Sequence, residues 1–146
     1  GHERTAKHSD ANVLACGLTY YAHPTACAAA VETMKLYEDE QLYENSARLG
    51  PVLLRELDAV AARLAMPAYT RGLGLLAALA PHPGPATPDQ WTALVRGLAV
   101  RKLSLHVDGK RGTAIFAPPL CIGEQDLVTG VRAFGDAAVA AFGGKS

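Results

Sequence analysis

The sequence predicts an α/β domain of α+β character, with a mainly antiparallel sheet of about three strands flanked by helices. Three observations lead there. Apolar residues recur at three- and four-residue spacing in four separate stretches, the signature of helices with one buried face. A short alternating run, Leu103 to Val107, is followed by the turn signal Asp108-Gly109 and a second apolar run, so 103–117 reads as a hairpin. The chain has 146 residues, 49% hydrophobic and 19% charged, which suits one ordinary globular domain.

Taken in order, residues 1–10 are polar and aperiodic, and read as a disordered tail or a cloning remnant. From Ala11, NVLACGLTYY reads as a short strand running into a polar turn. His23-Pro24-Thr25 then opens a helix, because Pro is preorganised for the first helical position. Cys27, Val31, Met34 and Tyr37 give it a stripe. The next helix spans Leu42 to Leu64 on Leu49, Leu53, Leu57, Val60 and Leu64. Pro51 inside it predicts an end or a kink near Gly50. Thr70 to Ala80 is poor in β-branched residues but bounded by prolines, and is read as a single strand. Pro81 to Pro88 is a loop. Thr87-Pro88-Asp89-Gln90 is a capping box with Pro at the first position, opening a helix with Trp91, Leu94, Val95 and Leu98 on its apolar face. The hairpin follows, closed by Pro118-Pro119. A last helix runs from about Glu124 to Phe142, and Gly143-Gly144 stops it.

Composition excludes several functions. Fourteen basic residues balance fourteen acidic ones, so no net field draws nucleic acid or an anionic membrane. No apolar run reaches 18 residues. Cys16, Cys27 and Cys121 form neither a disulfide framework nor a zinc pattern, and read as free buried thiols of a reducing cytosol. No metal spacing exists among the histidines. Arg71-Gly72-Leu73-Gly74 lacks the third glycine, the following helix and the distal acid of a dinucleotide fingerprint. Arg71 reads either as an ion-pairing residue at a strand start or as a contact for an anionic substrate. Arg101, Lys102, Lys110 and Arg111 lack the interleaved aromatics of a nucleic-acid site. His23 has no carboxylate at helical or strand spacing, so capping or packing explains it better than acid–base work. One segment retains a ligand reading on local grounds: Gly17 to Pro24, where a Thr hydroxyl beside glycine precedes a helix and could meet a phosphate, though turn chemistry alone accounts for it.

Three segments together resemble the C-terminal part of a class III aminotransferase, a pyridoxal-phosphate enzyme of fold type I. They are GLTYYAHPTACAAAVETMKLYEDEQL at 17–42, TRGLGLLAAL at 70–79 and IFAPPLCIGEQDL at 115–127. Their order and spacing cover roughly residues 11 to 142. The resemblance implies residues 11–40 as the cofactor-phosphate turn and linking helix, 41–142 as the small C-terminal domain, and 143–146 as a tail. It implies that Thr19 binds the phosphate of pyridoxal 5'-phosphate in the neighbouring subunit of a homodimer, with Gly17, Leu18 and Tyr20 shaping the turn. It places the Schiff-base lysine, the pyridine-nitrogen aspartate and the rest of a large catalytic domain upstream, so no catalytic residue is assigned here. Lys7, Lys35, Lys102, Lys110 and Lys145 fit no such motif.

Ile115 stands where relatives acting on α-amino acids carry a carboxylate-holding arginine, and Arg111 is displaced from that place by several residues. This leans toward an amine or omega-amino acid as donor and a keto acid such as pyruvate as acceptor, with Arg71 and Arg111 as candidate substrate contacts. A cytoplasmic setting is expected. Two alternatives stand beside this reading: a standalone non-catalytic binding or regulatory domain of the same descent, and an unrelated structural module.

Overall fold

The computed structural model describes residues 22–81 and 86–145. The expected strand before residue 21 and the Gly17–Tyr20 turn lie outside the described residues. The chain forms two compact units, residues 1–35 and 36–146. Helix α1 (Pro24–Asp39) begins in the first. Its opening is as expected: Pro24 is its first residue, and the Cys27 amide donates to the His23 carbonyl at 2.9 Å.

The second unit carries the rest: α2 (Leu42–Arg63), β1 (Ala68–Leu73), β2 (Leu76–Pro81), α3 (Pro88–Val100), β3 (His106–Asp108), β4 (Thr113–Phe116) and α4 (Glu124–Phe142). The sheet order is β1-β2-β4-β3, with every neighbour antiparallel. Fold class and sheet polarity therefore agree with the sequence reading, but the strands number four among the described residues. The difference lies at 70–80, read as one strand and folded as a hairpin. Gly74 takes φ +55° in the two-residue loop between Leu73 and Leu76, a conformation that costs glycine nothing and turns the chain back sharply. The Leu75 amide then donates to Ser46 Oγ on α2, 3.1 Å away.

Pro51 neither ends nor divides α2, which is continuous over 22 residues. The ring removes one donor, leaving the Ala47 carbonyl without its helical partner. Ala47 and Pro51 both face solvent, so water can serve that carbonyl. The opposite face buries Leu49, Leu53, Leu57 and Val60, and this stripe holds the helix together across the defect. Gly50 lies on the buried side because α2 and the β1–β2 loop touch there; a Cβ at residue 50 would stand 2.8 Å from the Gly74 Cα.

The capping box of α3 forms as expected: Thr87 Oγ1 accepts from the Gln90 amide and Gln90 Oε1 accepts from the Thr87 amide. Trp91, Leu94 and Leu98 are buried, whereas Val95 turns outward at 50% exposure. Helix α4 starts at Gly123 without a side-chain cap and buries Leu127, Val131, Phe134, Ala138 and Phe142.

The sheet gives one face to these helices. Ala77 pairs with Phe116 and Leu79 with Ala114, and all four side chains are buried. Phe116 meets Phe134 edge-to-face at 4.8 Å, and Trp91 meets Phe142 similarly at 5.0 Å. The other face carries the ladder Arg71–Ala78–Ile115–His106, with exposed Leu73 and Leu76 at its hairpin end. No helix among the described residues is long and apolar enough to cross a membrane. Cys27 and Cys121 are free, as expected, but exposed rather than buried.

Candidate functional site

The cofactor contacts expected at Gly17, Leu18, Thr19 and Tyr20 lie outside the described residues, so the candidate sites available are the substrate arginines and the clefts of the second unit. Arg71 sits exposed in β1, on the outer sheet face, paired in register with Ala78. Arg111 lies in the turn between β3 and β4. Strands β1 and β3 are the two edges of the sheet, three inter-strand steps apart, or about 14 Å. The fold thus places the two arginines at opposite edges of the sheet.

Arg111 is also engaged locally. Its Nη1 donates to Asp108 Oδ2 at 3.1 Å, while its amide and that of Lys110 donate to Asp108 Oδ1, both at 3.1 Å. The Asp108 carboxylate is held below its ordinary range, chiefly by the Arg111 amide and further by the Lys110 amide and the Arg111 guanidinium, against a desolvation penalty. The Asp108-Gly109 turn read from the sequence is therefore an aspartate whose side chain collects the amides of the two residues that follow Gly109.

Two clefts bracket this hairpin. The first, about 400 Å³, lies where Leu53 of α2, Leu127 and Phe134 of α4, and Pro118 meet the Leu103–His106 segment. Its walls are apolar, with Asp126 and His106 as the titratable groups and no lysine or arginine. A phosphate-bearing cofactor requires cations or free amides, and a carboxylate at the rim opposes it. This cleft therefore does not fit pyridoxal phosphate. The second cleft, about 700 Å³, is lined by Trp91 and Thr92 of α3 together with His106, Lys110 and Arg111. Trp91 is only 5% exposed, and its Nε1 has no hydrogen-bond acceptor among the described residues.

Three polar side chains emerge that sequence reasoning missed. Asn45 Nδ2 donates to the carbonyls of Leu120 and Ile122, at 2.7 and 3.1 Å, and pins the segment after Pro118-Pro119 onto α2. Ser46 holds the β1–β2 loop, and the Thr70 hydroxyl donates to Asp58 on α2. A signal for the first two was present: Asn45 and Ser46 lie one turn before Leu49 and Gly50, so they continue the buried face of α2.

Comparison with known proteins places this architecture. The family model described as aminotransferase class-III matches residues 3–138. An ethanolamine-phosphate phospho-lyase homolog of Caenorhabditis elegans is 33% identical over 121 residues, which are 79% of this chain and 26% of that protein. The ornithine aminotransferase of Saccharomyces cerevisiae is 30% identical over 122 residues, covering 80% of this chain and 27% of the yeast enzyme. A transaminase structure from the marine bacterium Virgibacillus superposes with a TM-score of 0.77 at 26% identity, over 95% of this chain and 33% of that one. The chain thus spans between a quarter and a third of the length of these relatives. The family model covers most of the chain, and the chain belongs to the class III aminotransferase family.

Proposed function

We propose that the chain is the small-domain segment of a pyridoxal-phosphate-dependent aminotransferase and that, taken alone, it is a non-catalytic α+β module. The observation that carries this reading is the class III match over residues 3–138, set against relatives of which the chain spans only 26–27%. In a complete subunit the reaction served is transfer of an amino group from an amine or omega-amino acid to a keto acid such as pyruvate. The cofactor supplies the electron sink for that chemistry when bound. Thr19, in the turn shaped by Gly17, Leu18 and Tyr20, reaches the cofactor phosphate of a homodimer partner. Arg71, exposed on the outer sheet face, is the better placed of the two substrate candidates, because Arg111 is committed to Asp108. A cytoplasmic setting suits the free, exposed thiols of Cys27 and Cys121.

The non-catalytic half rests on the lysines. Among the described residues Lys35, Lys102, Lys110 and Lys145 are all exposed, whereas an imine-forming lysine is activated by a desolvated pocket or a cationic neighbour, and Lys7 fits no Schiff-base motif in the sequence. A second reading, a standalone binding or regulatory module, draws support from the second unit's own core, in which Leu49, Leu53, Leu57, Leu94 and Phe134 are fully buried.

The chain incubated with pyridoxal phosphate, reduced with borohydride and mapped by peptide mass is expected to show no single enriched lysine. One stoichiometric adduct at a defined lysine overturns the non-catalytic assignment. In a complete subunit, Thr19→Ala is expected to weaken cofactor retention about tenfold, the loss of one charge-assisted hydrogen bond. Unchanged retention on dialysis removes Thr19 from the phosphate site.

A further inference from the structure

An antiparallel sheet with one face on the core and the other in water alternates apolar and polar residues along each strand. Strands β1 and β2 depart from that pattern. Their inward side chains do what the core requires: Ala77 and Leu79 are buried, and Thr70 turns to Asp58 of α2. Their outward side chains are Tyr69, Arg71 and Leu73 on β1, in register with Ala80, Ala78 and Leu76 on β2. All of these except Arg71 are apolar or aromatic, and Ile115 of β4 continues the row beside Ala78. Leu73 is 89% exposed and Leu76 60%. These two leucines flank the two-residue loop of the hairpin, a place that polar turn residues fill when it faces water. Apolar side chains gathered on one open face mark a surface that other protein covers.

The charge on this face narrows what covers it. Arg71 lies in the middle of the apolar row with no ion pair or hydrogen bond among the described residues. A cover that strips water from a guanidinium must set an anionic group against it. A second copy of the chain, packed face to face, would bring the same leucines and another arginine, and β1 and β2 hold no carboxylate to meet it. The relatives offer a larger surface. The chain superposes over 95% of its length on the Virgibacillus transaminase yet covers 33% of it, so most of such a subunit lies beyond this fold.

We propose that the outer face of the β1–β2 hairpin is the surface on which the rest of a complete aminotransferase subunit packs. Apolar side chains close over Leu73 and Leu76, and Arg71 stands at the seam facing an anionic group. The proposal rests on the small-domain reading above and adds to it the face that is used.

Leu73→Cys and Leu76→Cys, made singly, place a thiol on this face. Val100→Cys places one on α3 at a site of similar openness, 82% exposed, as the control. Each variant is made in the 146-residue chain and in the complete subunit, treated with N-ethylmaleimide and mapped by peptide mass, which separates the new thiol from Cys16, Cys27 and Cys121. In the chain, residues 73, 76 and 100 are expected to label at similar rates. In the complete subunit, residues 73 and 76 are expected to label at least about tenfold more slowly, with residue 100 unchanged. Undiminished labelling at 73 and 76 in the complete subunit overturns the docking face, and so does equal protection of residue 100. Protection that already appears in the chain and grows with its concentration assigns the face to a second copy and also overturns it. Pyridoxal phosphate binding by the same complete subunit, followed by its visible absorbance, tests the aminotransferase reading separately. Cofactor bound while 73 and 76 stay open sinks the docking face alone. Protection of 73 and 76 without cofactor binding upholds the docking face and removes the enzyme reading.

Discussion

At the scale of single residues, space and charge around two glycines and one aspartate decide opposite outcomes. Gly50 and Gly130 both lie inside helices, where alanine is intrinsically better by about 1 kcal/mol. At Gly130 a new Cβ meets nothing within 4 Å, so Gly130→Ala is expected to raise the urea midpoint, by up to about 1 kcal/mol of stability. At Gly50 the new carbon would collide with the Gly74 backbone at 2.8 Å, and backbone cannot rotate away. Gly50→Ala is therefore expected to lose about 1–3 kcal/mol to overpacking, more than propensity returns. Two substitutions shifting the midpoint in the same direction would contradict this account. Asp108 adds a pH dependence with a fixed sign. Its folded pKa is depressed, so the unfolded chain holds the proton more tightly. The stabilisation is complete above the ordinary carboxylate value, about 3.9, and is lost as pH falls through the lower folded value. Asp108→Asn should accordingly lower stability at neutral pH and flatten the acid limb of the pH profile. Identical acid limbs for the two proteins would refute the assignment.

At the scale of elements, legibility followed how local the physics was. The α3 start could be read from four residues, because a capping box is a local exchange of hydrogen bonds between Thr87 and Gln90. Thr87→Ala should cost about 1 kcal/mol, measured by denaturant unfolding, and leave the rest of the fold intact. The α2 stripe was equally plain, since Leu49, Leu53, Leu57 and Val60 are buried at their read positions. The helix does not end at Pro51 because a proline rule is local, whereas the packing that carries α2 through it comes from β1, β2 and α4. The 70–80 hairpin was hidden for a related reason. Its turn is a lone Gly74 followed by Leu75, without the Asn-Gly or Asp-Gly signal, and Ser46 from a distant helix completes it. Asn45 and Trp91 were invisible as polar actors, because their partners, or the lack of one, depend on chain folded far away. The cofactor role expected of Thr19 is the converse case. It lies outside the described residues and rests on family resemblance alone, since a Thr two residues after a glycine carries little information by itself.

At the scale of the whole molecule, a chain spanning about a quarter of its curated relatives still contains a closed apolar core. Helices α2, α3 and α4 and the inner sheet face bury Leu49, Leu53, Leu94, Phe116 and Phe134 among themselves, all within residues 36–146. Three ion pairs at the rim, Arg48–Glu124, Arg63–Asp136 and Arg132–Glu56, join α2 to α4; all their groups except the half-buried Glu56 are exposed, and pairs of that kind contribute little. Apolar packing therefore dominates the stability of this unit. Two expectations follow from that ordering of effects. Phe134→Ala, which removes a ring of zero exposure packed edge-to-face against Phe116, should cost about 3–5 kcal/mol, whereas Arg63→Ala should cost less than about 1 kcal/mol. The segment 36–146 expressed alone should keep its far-UV circular dichroism and unfold in urea in one cooperative step, with a slope of about 1–3 kcal/mol per molar. A broad, non-cooperative loss of signal would mean that the core is completed only by the remainder of a subunit. Cooperative unfolding would instead establish that class III small-domain sequence is sufficient for its own fold, independently of any cofactor chemistry it serves.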